Sequence, residues 1–157
     1  MNSLLTTSNR KEKIHFLQDF DVPVSTVFDF FSVHENLGKI YPAAVKCIKF
    51  GEDPINANSR GSVRRIIAFP IVIEETVTEY IPNQLIEYRL TMGVGVKDHI
   101  GTMRFGELGY GKCRLDYSIE FSPTIPMTGF LIKNILEKII GQGVRDAARQ
   151  LRINPNF

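Results

Sequence analysis

The first legible pattern in the chain is an alternation. Over Lys13–Asp21, Ile14, Phe16, Gln18 and Phe20 take one face and Lys13, His15, Leu17 and Asp19 the other, a mostly two-period strand. After Asp21-Val22-Pro23, residues Val24, Val27, Phe28 and Phe31 recur at helical spacing, with proline preset for the first turn and Asp21 a plausible cap, so a short helix runs to about Val33. Leu37, Ile40 and Tyr41 predict a second helical turn, which Pro42 stops. From Ala44 to Pro123, β-rich runs alternate with Gly, Pro and Asn clusters, and strands are predicted at Val45–Phe50, Gly61–Phe69, Ile71–Ile81, Gln84–Met92, Lys97–Glu107 and Lys112–Ser122. Such short connections force neighbours to pair antiparallel. In the last strand Cys113, Leu115, Tyr117, Ile119 and Phe121 share the core face; the same rule turns Ile86, Tyr88, Leu90 and Met92 inward, and His99, Met103 and Phe105 from the strand between. The period then switches to 3.6 from about Met127 to Arg152, with Ile132, Leu136, Ile139, Ile140, Gly143 and Ala147 on one arc and Lys138, Arg145, Arg149 and Arg152 opposite. That helix is roughly 40 Å long and the longest strands roughly 36 Å, so one helix can lie along the whole sheet.

The expected class is therefore α+β: a seven-stranded antiparallel sheet, two short helices after strand 1, and a long C-terminal helix. At 157 residues the chain is read as one domain, 1–157, with residues 1–11 a frayed polar start. Hydrophobic residues make up 43% and charged residues 23%, which argues against disorder. The net charge of +2 lacks the basic stripe of a nucleic-acid binder, so no nucleic-acid partner is expected. Cys47 and Cys113 belong to no CxxC or Cys/His cluster, and His15, His34 and His99 lie in separate elements, so no metal set and no cofactor is expected. With no leader pattern and no apolar run long enough to span a bilayer, the expected location is cytoplasmic.

The inner stripe of the long helix is thin. Gly143 and Ala147 follow Ile132, Leu136 and Ile139 where a close-packed core normally has large side chains. Glycine inside a helix also costs about 1 kcal/mol relative to alanine, and the chain has two, Gly141 and Gly143. Either bulky Phe or Tyr side chains approach the helix closely there, or a cavity lies between helix and sheet.

The order of strand, two short helices, six-strand meander and long helix resembles the helix-grip fold of the START and birch-pollen-allergen superfamily. The segments Pro23-Val24-Ser25-Thr26-Val27-Phe28-Asp29-Phe30-Phe31, Tyr41-Pro42, Gly61-Ser62-Val63-Arg64-Arg65 and Glu75-Thr76-Val77-Thr78-Glu79 look like the family's first helix and early strands. Further on, Pro82-Asn83-Gln84-Leu85-Ile86-Glu87-Tyr88, Gly101-Thr102-Met103-Arg104-Phe105 and Pro126-Met127-Thr128-Gly129-Phe130-Leu131 are similar to the polyketide cyclase/dehydrase branch. The resemblance covers about residues 12–152. It implies a curved sheet wrapped on the C-terminal helix and a deep, mostly apolar cavity between them, which relatives use for lipids, sterols, plant hormones, quinones or polyketides. It brings no catalytic signature, because fold does not fix function.

Within such a cavity His99 could bond a ligand or transfer a proton, or be a core histidine satisfied by a backbone group. Tyr88 and Tyr117 could orient a ligand oxygen or bond to neighbouring side chains. Arg65, in phase with Val63, Ile67 and Phe69, is expected to face inward, as a ligand contact or in a structural pair with Glu75. Glu75 and Glu79 share a face opposite Glu74, and a solvated face is expected because carboxylates are rarely buried unpaired. The expected ligand contacts are thus Arg65, Tyr88, His99, Met103, Tyr117, Leu136, Ile139 and Gly143, around a small hydrophobic ligand. The alternative is a cyclase or dehydratase using His99 and Tyr117 as acid and base. The basic stripe Lys138, Arg145, Arg149 and Arg152 reads as a solvated helix face, or as a weak transient contact with anionic membrane surfaces.

Overall fold

The computed structural model describes residues 11–156. Of the start expected to fray, all but Lys11 lies outside the described residues. The elements run β1 (Glu12–Phe20), α1 (Val24–Ser32), a 3-10 segment (His34–Lys39), β2 (Ala44–Lys49), β3 (Val63–Ala68), β4 (Ile71–Ile81), β5 (Leu85–Met92), β6 (Val96–Gly109), β7 (Lys112–Pro123) and α2 (Gly129–Ile153). The seven strands form one antiparallel sheet in the order β1-β7-β6-β5-β4-β3-β2, so the first strand closes against the last. The chain crosses from one edge strand, β1, to the other, β2, through α1 and the 3-10 segment. Pro23 caps α1 without a side-chain bond; Asp21 pairs with Lys112 at 2.9 Å instead of capping.

The apolar face of α1 explains why this crossing plugs one end of the sheet. Val27, Phe28, Phe30 and Phe31 are all buried, each worth ~1.5–3 kcal/mol of transfer free energy. Phe28 meets Tyr80 and Phe105 edge-on, with ring centroids 5.2 and 5.1 Å apart. The long helix α2 packs chiefly on β1.

Two local features depart from the expected phases. The β4–β5 register shifts between Val77 and Glu79, so Glu75 and Val77 face inward, Glu79 faces out, and Tyr80 turns in against Phe28. In β3, Arg64 is buried and Arg65 exposed, the reverse of the expectation. The thin stripe of α2 is also resolved: a Cβ on Gly143 would lie 2.6 Å from Tyr41 Cδ1 and 2.8 Å from the Ile40 carbonyl oxygen. The Tyr41 ring, delivered by the segment that follows the 3-10 turn, fills the space beside Gly143, so of the two alternatives the close approach of a bulky aromatic is the one found there.

Candidate functional site

Antiparallel pairing sets Arg64 directly opposite Glu75 and Arg65 opposite Glu74. The inward pair is buried, at 3% and 5% exposure, and Arg64 donates from Nε and Nη2 to Glu75 Oε2, both at 2.7 Å. The outward pair, Arg65 and Glu74, bonds on the exposed face. Arg64 therefore takes the place expected for Arg65, and the buried pair is Arg64–Glu75.

Around this pair the next strands add polar groups. The Arg64 guanidinium lies 4.2 Å from the centre of the Tyr88 ring, a desolvated cation–π contact. The Tyr88 hydroxyl shares a short hydrogen bond with the hydroxyl of Tyr117 on β7. Gly101 on β6 makes room for this, since a Cβ there would run into the Tyr88 ring. His99 follows an irregularity in β6 where Asp98 adopts a positive φ of 53°; its ring is 5.8 Å from Tyr88 and its Nε2 is 4.0 Å from Glu75 Oε1. That is too long for a hydrogen bond. His34 Nε2 hydrogen-bonds the buried Ser62 hydroxyl at 2.9 Å. The buried atoms Tyr41 Oη, His34 Nδ1 and His99 Nδ1 have no partner among the described residues.

Burial dominates the electrostatics. It holds His34 down at about 3, with the Arg64 charge acting in the same direction, and lowers His99 against the attraction of Glu75. Both imidazoles are neutral at pH 7. Burial likewise raises Tyr41, Tyr88 and Tyr117, so all three stay phenols. Burial disfavours the Arg64 charge too, but Glu75 and the two tyrosines more than offset it and keep the guanidinium charged. The cluster thus combines a compensated ion pair with neutral donors and acceptors.

Toward the end of the sheet where α2 begins, the same inward phases carry Ile66, Ile73 and Leu90, and α2 presents Ile132 and Leu136; all five are partly buried. An apolar layer therefore covers a polar floor. Of the expected contacts, Tyr88, His99 and Tyr117 gather at this floor, Met103 is buried beside them opposite Tyr117, and Leu136 lies in the layer above. Arg65 is on the outer face, Ile139 is 36% exposed, and Gly143 lies under Tyr41. The sequence reading passed over Tyr41 and put Arg64 on the outer face. Only the proximity of Tyr41-Pro42 to a helix stop hinted at the first, and for the second the neighbouring apolar residues gave the opposite phase.

The basic stripe borders a different feature, a surface cleft of about 420 Å³ between the end of β1 and the last turns of α2, lined in part by Asp19, Asp21, Arg145, Arg149 and Arg152. Several of its charges are matched: Arg149 pairs with Asp146, Asp19 with Arg114 and Asp21 with Lys112, while Arg145 donates to the neutral amide of Gln142. No group of three or more metal-ligating side chains gathers among the described residues. No helix among them is long and apolar enough to cross a membrane.

Comparisons with known proteins agree with this geometry. A family model described as polyketide cyclase / dehydrase and lipid transport matches residues 12–153. A START superfamily protein from Mycobacterium smegmatis superposes with a TM-score of 0.73 at 14% identity, over 88% of this chain and 98% of that one. Norcoclaurine synthase from Thalictrum flavum, in complex with dopamine and hydroxybenzaldehyde, gives 0.70 at 14% over 98% and 93%. Ara h 8.0201 gives 0.69 at 13% over 92% and 100%. At these identities the likenesses establish the fold, the helix-grip arrangement of curved sheet and C-terminal helix. No curated protein matches the chain by sequence.

Proposed function

We infer that this protein binds a small, mostly apolar molecule between the sheet and α2, and the premise is that the chain belongs to the polyketide cyclase / dehydrase and lipid transport family. The observation that carries the reading is the meeting of unpartnered polar atoms with a compensated charge pair. Tyr41 Oη and His99 Nδ1 are buried beside Arg64–Glu75 with no protein partner among the described residues. An unsatisfied buried polar group costs ~1–3 kcal/mol, and a ligand oxygen or nitrogen at this floor would remove that cost. The apolar body of the ligand would then lie against Ile66, Ile73, Leu90 and Leu136. Arg64 and Tyr41 replace Arg65 and Gly143 among the proposed contacts, beside Tyr88, His99 and Tyr117.

The test is gentle purification, native mass spectrometry and denaturing extraction of any bound molecule, followed by titration with an environment-sensitive apolar fluorophore. A stoichiometric apolar ligand, or saturable fluorophore uptake weakened by Tyr41→Phe and His99→Phe, supports the reading. Uptake indifferent to both changes rules out this floor as the site.

One observation favours a second reading, a cyclase or dehydratase. His99 is a neutral imidazole with one free ring nitrogen, next to a hydroxyl pair that could hold a substrate oxygen. In that case His99→Phe keeps uptake and abolishes turnover of a polyketide-like substrate, while turnover that survives refutes the acid–base role of His99 with Tyr117.

A further inference from the structure

The inner phase of β1 carries one polar residue. Ile14 and Phe20 are buried and Phe16 is half-buried, but Gln18, of the same phase, lines the surface cleft at the end of the strand together with Ala148 of α2. An amide and a methyl leave open the space that two large apolar side chains would close. The cleft that results, about 420 Å³, falls in the size range of small-molecule sites.

Its helical side is a row of guanidiniums. Arg145, Arg149 and Arg152 follow at four- and three-residue spacing and share one face of α2, with Arg145 and Arg152 two turns, or about 10 Å, apart. The Arg145 guanidinium is held against the helix: Nη2 donates to Gln142 Oε1 at 3.0 Å, and Nη1 lies 3.4 Å from the position a Cβ on Gly141 would take. Arg149 is bonded to Asp146, which does not line the cleft. Arg152 acts on the Asp21 carboxyl through space but bonds to no side chain among the described residues. Asp19 and Asp21 line the cleft on the β1 side, and both are committed elsewhere. Arg114 donates to the two oxygens of Asp19, at 2.6 and 2.8 Å, and Lys112 holds Asp21 at 2.9 Å. Those two pairs and Arg149–Asp146 cancel, which leaves Arg145 and Arg152 as an excess of two positive charges. The whole chain has a formal charge of +2, so the remainder sums to neutral and the excess is concentrated at this cleft.

We propose that the cleft between the end of β1 and the last turns of α2 binds a small dianion of the phosphate-monoester class, with Arg145 and Arg152 donating to its oxygens and Gln18 beside its polar body. A guanidinium presents paired N–H donors that match two oxygens of a phosphate, and two such groups with no carboxylate of their own lack only the anion. A phosphate monoester, with a second pKa of about 6, carries close to the two charges that balance them near neutral pH. The site shares no residue with the Arg64–Glu75 floor and stands independently of the ligand reading proposed there.

The test is isothermal titration calorimetry of the full chain with glycerol 3-phosphate at low ionic strength, where exposed charges are least screened. One ester is expected to bind per chain with saturation, and Arg145→Gln with Arg152→Gln to weaken it at least tenfold. Both side chains are exposed and glutamine matches arginine in helix propensity, so α2 is kept. Lys46→Gln with Lys49→Gln removes the same charge from exposed positions of β2 and should leave the affinity unchanged. Absence of saturable binding overturns the proposal, and so does an equal loss from the β2 changes, which would mark attraction to net charge in place of a site. Binding to vesicles containing phosphatidic acid without binding of the soluble ester overturns it in favour of a membrane surface. Uptake of the apolar fluorophore reports separately on the ligand site and should be the same in the arginine variant as in wild type.

Discussion

The Arg64–Glu75 pair gives the sharpest quantitative expectation. Replace Arg64 with Met and Glu75 with Leu, singly and together. Removing either partner leaves the other charge in a place where the two residues are 3% and 5% exposed, and breaking a buried pair in this way costs ~3–5 kcal/mol. In Arg64→Met the loss includes the contact with the Tyr88 ring, worth ~2 kcal/mol when desolvated. In Glu75→Leu the guanidinium keeps only that ring and no carboxylate. The double replacement removes both charges together, and hydrophobic residues of similar volume are often neutral or stabilising at such sites. The double variant should thus lie within ~1 kcal/mol of wild type, with a coupling between the positions of at least ~3 kcal/mol. Urea denaturation measures this, provided the slope m is unchanged. Single replacements costing under ~1 kcal/mol would show that water reaches the pair, and a double replacement as costly as the sum of the singles would show that the two do not act on each other. The folded double variant then isolates function: it keeps the apolar layer and loses the charged floor, so reduced uptake assigns the pair to ligand recognition, and full uptake assigns it to structure.

Gly143→Ala should destabilise, because Tyr41 and the Ile40 backbone stand in the way and overpacking costs ~1–3 kcal/mol, more than the ~1 kcal/mol alanine gains in a helix. Gly141→Ala, whose nearest obstacle is the Phe16 side chain at 3.0 Å, should fall within ~1 kcal/mol of neutral; urea melts in which Gly143→Ala is the more stable of the two would refute this packing. His34 is held at about 3 in the folded protein against an ordinary value of 6.5, so the unfolded chain binds the extra proton first. Stability is full above pH 6.5 and falls as pH drops from there toward 3, by ~1.4 kcal/mol per unit, or ~2 kcal/mol at pH 5. His99 acts in the same direction. A flat urea midpoint between pH 7 and 5 would contradict the burial of both imidazoles, and His34→Gln should flatten part of the slope. Gly101→Ala should displace the Tyr88 ring and break its bond to Tyr117, seen as lost fluorophore uptake in a protein that still folds.

The order of elements and the seven-strand meander were legible because strand and helix periods differ and turn clusters mark every connection. The site was legible only where one face of a strand is uniformly apolar. On β7 the alternation is clean, and Tyr117 lies where its phase puts it. On β4 the shift between Val77 and Glu79 separates Glu75 from Glu79, and no local signal announces an irregularity made by the partner strand. The Tyr41 ring against Gly143 joins residues far apart in the chain, so periodicity along α2 detects the missing volume and not the group that fills it.

The error on β3 is the most informative. Val63, Ile67 and Phe69 set a phase that turns Arg65 inward, and the rule behind it assumes that apolar residues seek the core. In the structure Ile67 is 39% and Phe69 94% exposed, while Arg64 of the opposite phase is buried. The rule failed because the inner phase of β3 is fixed across the sheet, by Arg64 standing opposite Glu75 of β4, and not by the apolar residues of β3 alone. The arc of α2, by contrast, holds: Ile132, Leu136 and Ile140 are partly buried and Gly143 and Ala147 buried, with Ile139 at 36% exposure its one departure. A charge pair between two strands thus overrides local periodicity on β3, whereas on β7, whose inner face is apolar from Cys113 to Phe121, periodicity alone suffices.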